Sequence, residues 1–182
     1  FGTSETGIAQ MKSKSSESTL MKFDDPNLEY KIINGNLFLR SNTQISGYLN
    51  ASMESFDSEG WFNSGDLAEE VNDGFIKIIG RSKEMINVGG EKVLPIEIED
   101  LLLKMEEVDD CMVYGLANPI MGQSVNAEIV FNKDLSNREA RKLVNSFCKY
   151  KIESYKIPSS IKVVDKINFS SRFKKMRIHD KI

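Results

Sequence analysis

Seven residues, Phe1-Gly2-Thr3-Ser4-Glu5-Thr6-Gly7, bring an aromatic ring, two glycines, three hydroxyls and one carboxylate together. Loops of that make-up serve sites that handle phosphates. Further on, Asn63-Ser64-Gly65-Asp66-Leu67 offers a carboxylate behind a turn. A carboxylate accepts two hydrogen bonds side by side, a geometry that fits a cis-diol. The chain then ends on charge. Residues 161–182 carry Lys162, Lys166, Arg172, Lys174, Lys175, Arg177 and Lys181 against Asp165 and Asp180, a balance of +5 within a net charge of -3. Such a tail is either a solvated run with loose attraction for nucleic acid or membrane, or a device that delivers a cation to an anionic ligand. Other chemistries are poorly provided for. His179 is the only histidine, which speaks against a Ser-His-Asp triad and excludes a His-rich metal site. Cys111 and Cys148 are far apart and lack histidine company, so neither a thiol-based site nor a zinc site is expected. They read as reduced thiols of a cytoplasmic protein.

The elements that must carry these residues follow from patterning. At 40% hydrophobic and 28% charged residues the 182-residue chain has a globular composition. No apolar run approaches the roughly 20 residues of a membrane span. Residues 8–24 read as a polar loop. Two short β-type runs, YKIING and NLFLRS, meet at Asn34-Gly35-Asn36, a hairpin signal. GWFNSGDLAEEVNDGFIKIIG reads as strand, turn and strand, with Phe75, Ile76, Ile78 and Ile79 expected in a buried strand. After Arg81 the character changes. Gly89-Gly90 supplies the positive φ angles of a second hairpin. Pro95 suits the first position of a helix, Glu97, Glu99 and Asp100 suit its positive end, and Ile98, Leu101, Leu102 and Met105 form one apolar face. CMVYGLA and NAEIVFN are strands, Ser136 and Glu139 form a capping box for a second helix, and SSIKVVDKI is a last strand. The expectation is an α+β fold: a small, mainly β module over residues 1–81 and a compact α+β domain over residues 82–182.

Four stretches in this order, FGTSETG, GWFNSGDL, GRSKEMINVGGEKVLPIEIE and VDKINFSSRFKKMR, resemble an adenylate-forming enzyme of the family that holds acyl-CoA synthetases, peptide-synthetase adenylation domains and luciferase. The resemblance covers essentially the whole chain. It implies that residues 1–81 are the β-rich end of a large N-terminal domain and residues 82–182 a mobile C-terminal lid. The family's Gly/Ser/Thr-rich phosphate loop with its lysine would lie upstream of Phe1, so the chain by itself is expected not to catalyse adenylation. Such enzymes join a carboxylic acid to ATP, release pyrophosphate, and pass the acyl group to a thiol, here CoA ahead of a carrier protein's phosphopantetheine.

The same resemblance implies roles for single residues. Phe1 takes the place of an aromatic stacked on adenine, Gly2 lets backbone approach the nucleotide, Ser4 contacts the α-phosphate, and Glu5 holds Mg²⁺. Asp66 binds both ribose hydroxyls, Arg81 reaches the ribose, and Ile78 touches adenine, although core packing would explain Ile78 equally well. Lys83 falls at the hinge of the lid. Gly89 and Gly90 line the tunnel for the thiol acceptor. In the tail, the spacing from Asp165 selects Lys174, which would stabilise charge electrostatically between the carboxylate substrate and the α-phosphate. Arg177 closes that pattern. Lys175 is the candidate in a register shifted by one. Asn168 and Phe173 replace the family's proline and glycine, which leaves a second account open: a non-catalytic relative that binds a nucleotide or partner. A third account, a nucleic-acid module, lacks aromatic interleaving.

Overall fold

The computed structural model describes residues 2–15, 18–50 and 52–168. The chain forms two compact units, Phe1–Lys83 and Glu84–Ile182.

The first unit is built from strands. β1 (Gly2–Thr3) and β2 (Gly7–Ile8) pair as a small antiparallel hairpin. β3 (Met11–Ser13), β4 (Met21–Phe23), β5 (Leu28–Ile33), β6 (Asn36–Ser41), β7 (Phe62–Val71) and β8 (Phe75–Arg81) form a six-stranded sheet in the order β3-β4-β8-β7-β6-β5. The β5–β6 turn puts Asn34 and Gly35 at φ of 51° and 78°, the left-handed pair that a two-residue hairpin asks for. Two expectations need correction. Residues 8–24 are not simply loop: β3 and β4 are three-residue strands that join the sheet through β8, where Met21 pairs with Ile76. In β8 only Ile76 is fully buried; Phe75, Ile78 and Ile79 are half-buried. Alternation along one strand of a single sheet sends successive side chains to opposite faces, so Phe75, Ile76, Ile78 and Ile79 cannot all reach the core of Leu28, Leu37, Leu39, Ala68 and Ile76. The only tryptophan, Trp61, is 8% exposed, with the Lys31 ammonium 4.2 Å and the Arg40 guanidinium 4.4 Å from its ring centroid; both cations suit the negative face of an indole.

The second unit runs β9 (Ile86–Val88), β10 (Glu91–Val93), α1 (Pro95–Leu102), β11 (Val108–Asn118), β12 (Gly122–Phe131), α2 (Asn137–Cys148) and β13 (Ser160–Val163). β12 is central. It pairs antiparallel with β11 on one side and with β13, in parallel, and β9 on the other. Both helices close over one face, where Ile98, Leu102, Val113, Ile129, Ala140, Val144 and Cys148 are all fully buried. A satellite cluster of Met112, Tyr114 and Ile167 lies apart from it, reached by the alternate residues of β11. The capping box forms as expected: the Ser136 hydroxyl accepts from the Glu139 N–H, and Glu139 accepts from the Ser136 N–H at 3.0 Å.

α1 departs from its sequence pattern in two ways. It stops at Leu102, and Met105 reaches the core instead from tight turns, its N–H donating to the Leu102 carbonyl at 3.0 Å. Nor does Glu99 serve the helix's positive end, since only Glu97 lies in the first turn. Glu99 is buried, and its Oε1 accepts from the Val113 N–H at 2.7 Å. The buried Glu99 carboxylate thus ties α1 to the backbone of β11.

Candidate functional site

The FGTSETG segment folds as the β1–β2 hairpin with Ser4, Glu5 and Thr6 at its tip. The tip is stiffened locally. Thr3 Oγ1 lies 2.8 Å from Thr6 Oγ1 and accepts from the Thr6 N–H at 3.0 Å. It is also anchored from a distance, because the Ile45 N–H donates to the Glu5 carbonyl at 2.9 Å. Tyr48 completes the arrangement by donating its hydroxyl to Glu5 Oε1 at 3.0 Å. Partial desolvation and the Glu5 carboxylate beside it raise the Tyr48 pKa above the usual phenol value, so the phenol keeps its proton and remains a donor. Ser4 is exposed and Glu5 half-buried. The Tyr48 contact spans 43 residues, and no local sequence signal announces it.

Asp66 and Arg81 lie opposite each other in the register of β7 and β8. Arg81 Nε donates to Asp66 Oδ1 at 3.0 Å; the carboxylate is 6% exposed and the guanidinium 51%. Ser64 fixes the approach to Asp66: its hydroxyl donates to the Leu37 carbonyl at 2.9 Å and accepts from the Asp66 N–H at 3.1 Å. The segment NSGDL is therefore an ordered bend that delivers a carboxylate onto a neighbouring cation. Ile78, three residues before Arg81, packs half-buried against the sheet core.

A recess of about 330 Å³ in this unit brings two of the candidates together. Glu5 and the exposed Lys83 both line it, with Ser64 and Gly65 between them in the lining and Glu54 and Asn63 alongside. Among the described residues no group of three His, Cys, Asp or Glu side chains could hold a metal ion.

In the second unit, Gly89 and Gly90 form the β9–β10 turn with φ of 63° and 97°. The Gly89 N–H donates to the Met121 carbonyl at 2.8 Å, and the Gly90 N–H to Asn87 Oδ1 at 3.0 Å. A Cβ at Gly89 would fall 2.5 Å from Met121 Cε, whereas none of the surroundings come within 4 Å of one at Gly90. Met121 is held there by Asn118, whose Oδ1 accepts from the Ile120 and Met121 N–H groups at 2.9 and 3.0 Å. This buttress from the β11–β12 turn was not legible in the sequence, where the two glycines read as an isolated hairpin. Phe1, Phe173, Lys174, Lys175 and Arg177 lie outside the described residues, and Asn168 is exposed. Among the described residues no helix is long and apolar enough to cross a membrane.

Comparison with known proteins agrees with this architecture. Residues 97–174 match the AMP-binding enzyme C-terminal domain family. The chain is 30% identical over 171 residues to the mitochondrial medium-chain acyl-CoA ligase of Mus musculus, covering 91% of this chain and 28% of the ligase. It is 30% identical to the 2-succinylbenzoate–CoA ligase of Staphylococcus epidermidis, covering 97% and 39%. Among solved structures, the o-succinylbenzoate CoA synthetase of Bacillus subtilis in complex with its acyl-adenylate intermediate superposes with a TM-score of 0.74 at 28% identity, over 86% of this chain and 34% of that one. The chain thus spans only about a quarter to two fifths of the length of these relatives. The chain belongs to the adenylate-forming enzyme family and carries that family's C-terminal domain.

Proposed function

We propose that the chain works as the C-terminal part of an ATP-dependent ligase that converts a carboxylic acid to an acyl-adenylate and then to a thioester, with CoA as the acceptor. The observation that carries this reading is the Asp66–Arg81 pair, a buried carboxylate and a half-exposed guanidinium 3.0 Å apart on adjacent strands. A carboxylate held in that way is pre-set to accept from both hydroxyls of a ribose, with no reorganisation on binding. Arg81 balances its charge and reaches the same sugar. Ser4, at the exposed hairpin tip, donates to the α-phosphate. Tyr48 orients Glu5, the residue that would hold Mg²⁺; the ion supplies charge neutralisation of the phosphates when bound.

The catalytic cation is Lys174, acting by electrostatic stabilisation as negative charge gathers between the substrate carboxylate and the α-phosphate. Lys83 serves as the hinge whose backbone rotation exchanges the two half-reactions, and the Gly89-Gly90 turn lines the thiol's path. Cys111 and Cys148 are buried thiols, which fits a reducing, cytoplasmic setting.

The test is Lys174→Ala in the whole ligase. Carboxylate-dependent ATP–pyrophosphate exchange should be lost, while thioester formation from a supplied acyl-adenylate persists. Equal loss of both half-reactions contradicts the assignment, and absence of exchange in the unaltered ligase favours a non-catalytic relative.

A further inference from the structure

α2 is sharply two-sided. Ala140, Val144 and Cys148 face the core with no exposed surface. The opposite side carries Arg138, Arg141, Lys142, Asn145 and Lys149, all exposed. At 100° per residue these positions fall on one stripe, about 16 Å long at 1.5 Å per residue. Two more exposed residues follow it in the chain: Tyr150, 91% exposed, and Lys151.

None of the five cations enters an ion pair among the described residues. The one carboxylate within the segment, Glu139, lies a quarter-turn off the stripe and is taken by the Ser136 hydroxyl at 2.6 Å, although Lys142 also bears on it. Tyr150 stands at φ of 71°, a left-handed conformation that costs an aromatic residue free energy. No burial offsets that cost.

The geometry points to the exposed face of α2 as a docking surface for an anionic lipid surface. Charge complementarity selects the sign of the partner. Shape suits a surface: cations set in one row along an exposed helix face can meet a plane together. Tyr150 adds the amphipathic ring that settles at headgroup depth, while Lys149 and Lys151 lie beside aromatic rings, 5.0 Å from Tyr150 and 3.2 Å from Phe147. Each cation near an anionic leaflet is worth about a fivefold change in partitioning.

Sedimentation of the chain with vesicles tests the inference. At 50 mM salt it should bind phosphatidylcholine vesicles containing 30% phosphatidylserine, fail to bind pure phosphatidylcholine, and release as salt rises. The triple change Arg141→Gln, Lys142→Gln and Lys149→Gln should weaken binding about a hundredfold with an unaltered circular-dichroism melt, and Tyr150→Ala should weaken it several-fold. Three results overturn the inference: no sedimentation with anionic vesicles, equal binding by the triple variant, or tighter binding to a 20-base-pair DNA duplex than to the vesicles at the same salt.

Discussion

Gly89 and Gly90 offer a way to separate backbone strain from steric contact in one turn. Both sit at positive φ, so alanine at either site meets the left-handed penalty of about 1 kcal/mol. Only at Gly89 would the new Cβ also meet a neighbour, Met121 Cε at 2.5 Å. That atom ends a flexible side chain, so relief means an off-rotamer methionine, about 0.5–1.5 kcal/mol. Gly89→Ala should therefore cost about 2 kcal/mol, and Met121→Ala should return only the steric share. A double-mutant cycle isolates it as a coupling of about 1 kcal/mol between positions 89 and 121. The same cycle between Gly90 and Met121 should give none. Native-state hydrogen exchange of the β9–β10 and β11–β12 peptides reads these opening energies locally. Equal coupling of both glycines to Met121, or none for Gly89, would falsify the claim that Met121 buttresses the turn.

Other consequences concern stability and ligand binding. Ser136→Ala should destabilise α2 by about 1 kcal/mol at neutral pH, seen as faster exchange of its first-turn amides. The Ser136 hydroxyl and N–H hold Glu139 below the usual carboxylate range. A depressed carboxylate contributes above its unfolded pKa and loses that contribution as pH falls through its folded pKa, so the gap between variant and parent should narrow in acid while the bond from the Glu139 N–H to the Ser136 hydroxyl keeps part of it. Lys156 shows the opposite sign. Its hydrogen bond to Glu97 at 2.7 Å, helped by Glu153 at 3.0 Å, raises its pKa. Lys156→Met should cost about 1 kcal/mol or less, because both acids are partly exposed, and that cost should vanish as pH rises through the raised lysine pKa. In the whole ligase, Asp66→Asn should weaken AMP about tenfold or more by calorimetry; unchanged affinity would detach the Asp66–Arg81 pair from the nucleotide.

What could be read from the sequence was what short-range chemistry decides. Asn34-Gly35 encodes a turn, Ser136 with Glu139 encodes a helix start, and Pro95 encodes the first residue of α1, all within a few positions. The residues that escaped are those whose role depends on distant partners. β3 and β4 are three residues long, and their polar alternation becomes a strand signal only once β8 offers a ladder. Tyr48 is silent until Glu5 is beside it. Glu99 looks like a helix-dipole acid until β11 brings the Val113 N–H beside it. Asp66 and Arg81 were both picked out separately, yet their pairing needed the β7–β8 register. The candidate cation Lys174 rests on the tail's resemblance to the family pattern, in which the spacing from Asp165 selects it.

Trp61 has an experimental consequence. The chain's one indole belongs to the first unit, packed beneath Lys31 and Arg40, while the second unit holds only tyrosines and phenylalanines. Tryptophan emission is thus a private channel for residues 1–83, blind to α1 and α2, which belong to residues 84–182. Helical ellipticity is the complementary channel. A denaturant titration recorded in both reports on two different bodies of one polypeptide, and the gap between the two midpoints measures how far one half can melt while the other stays folded.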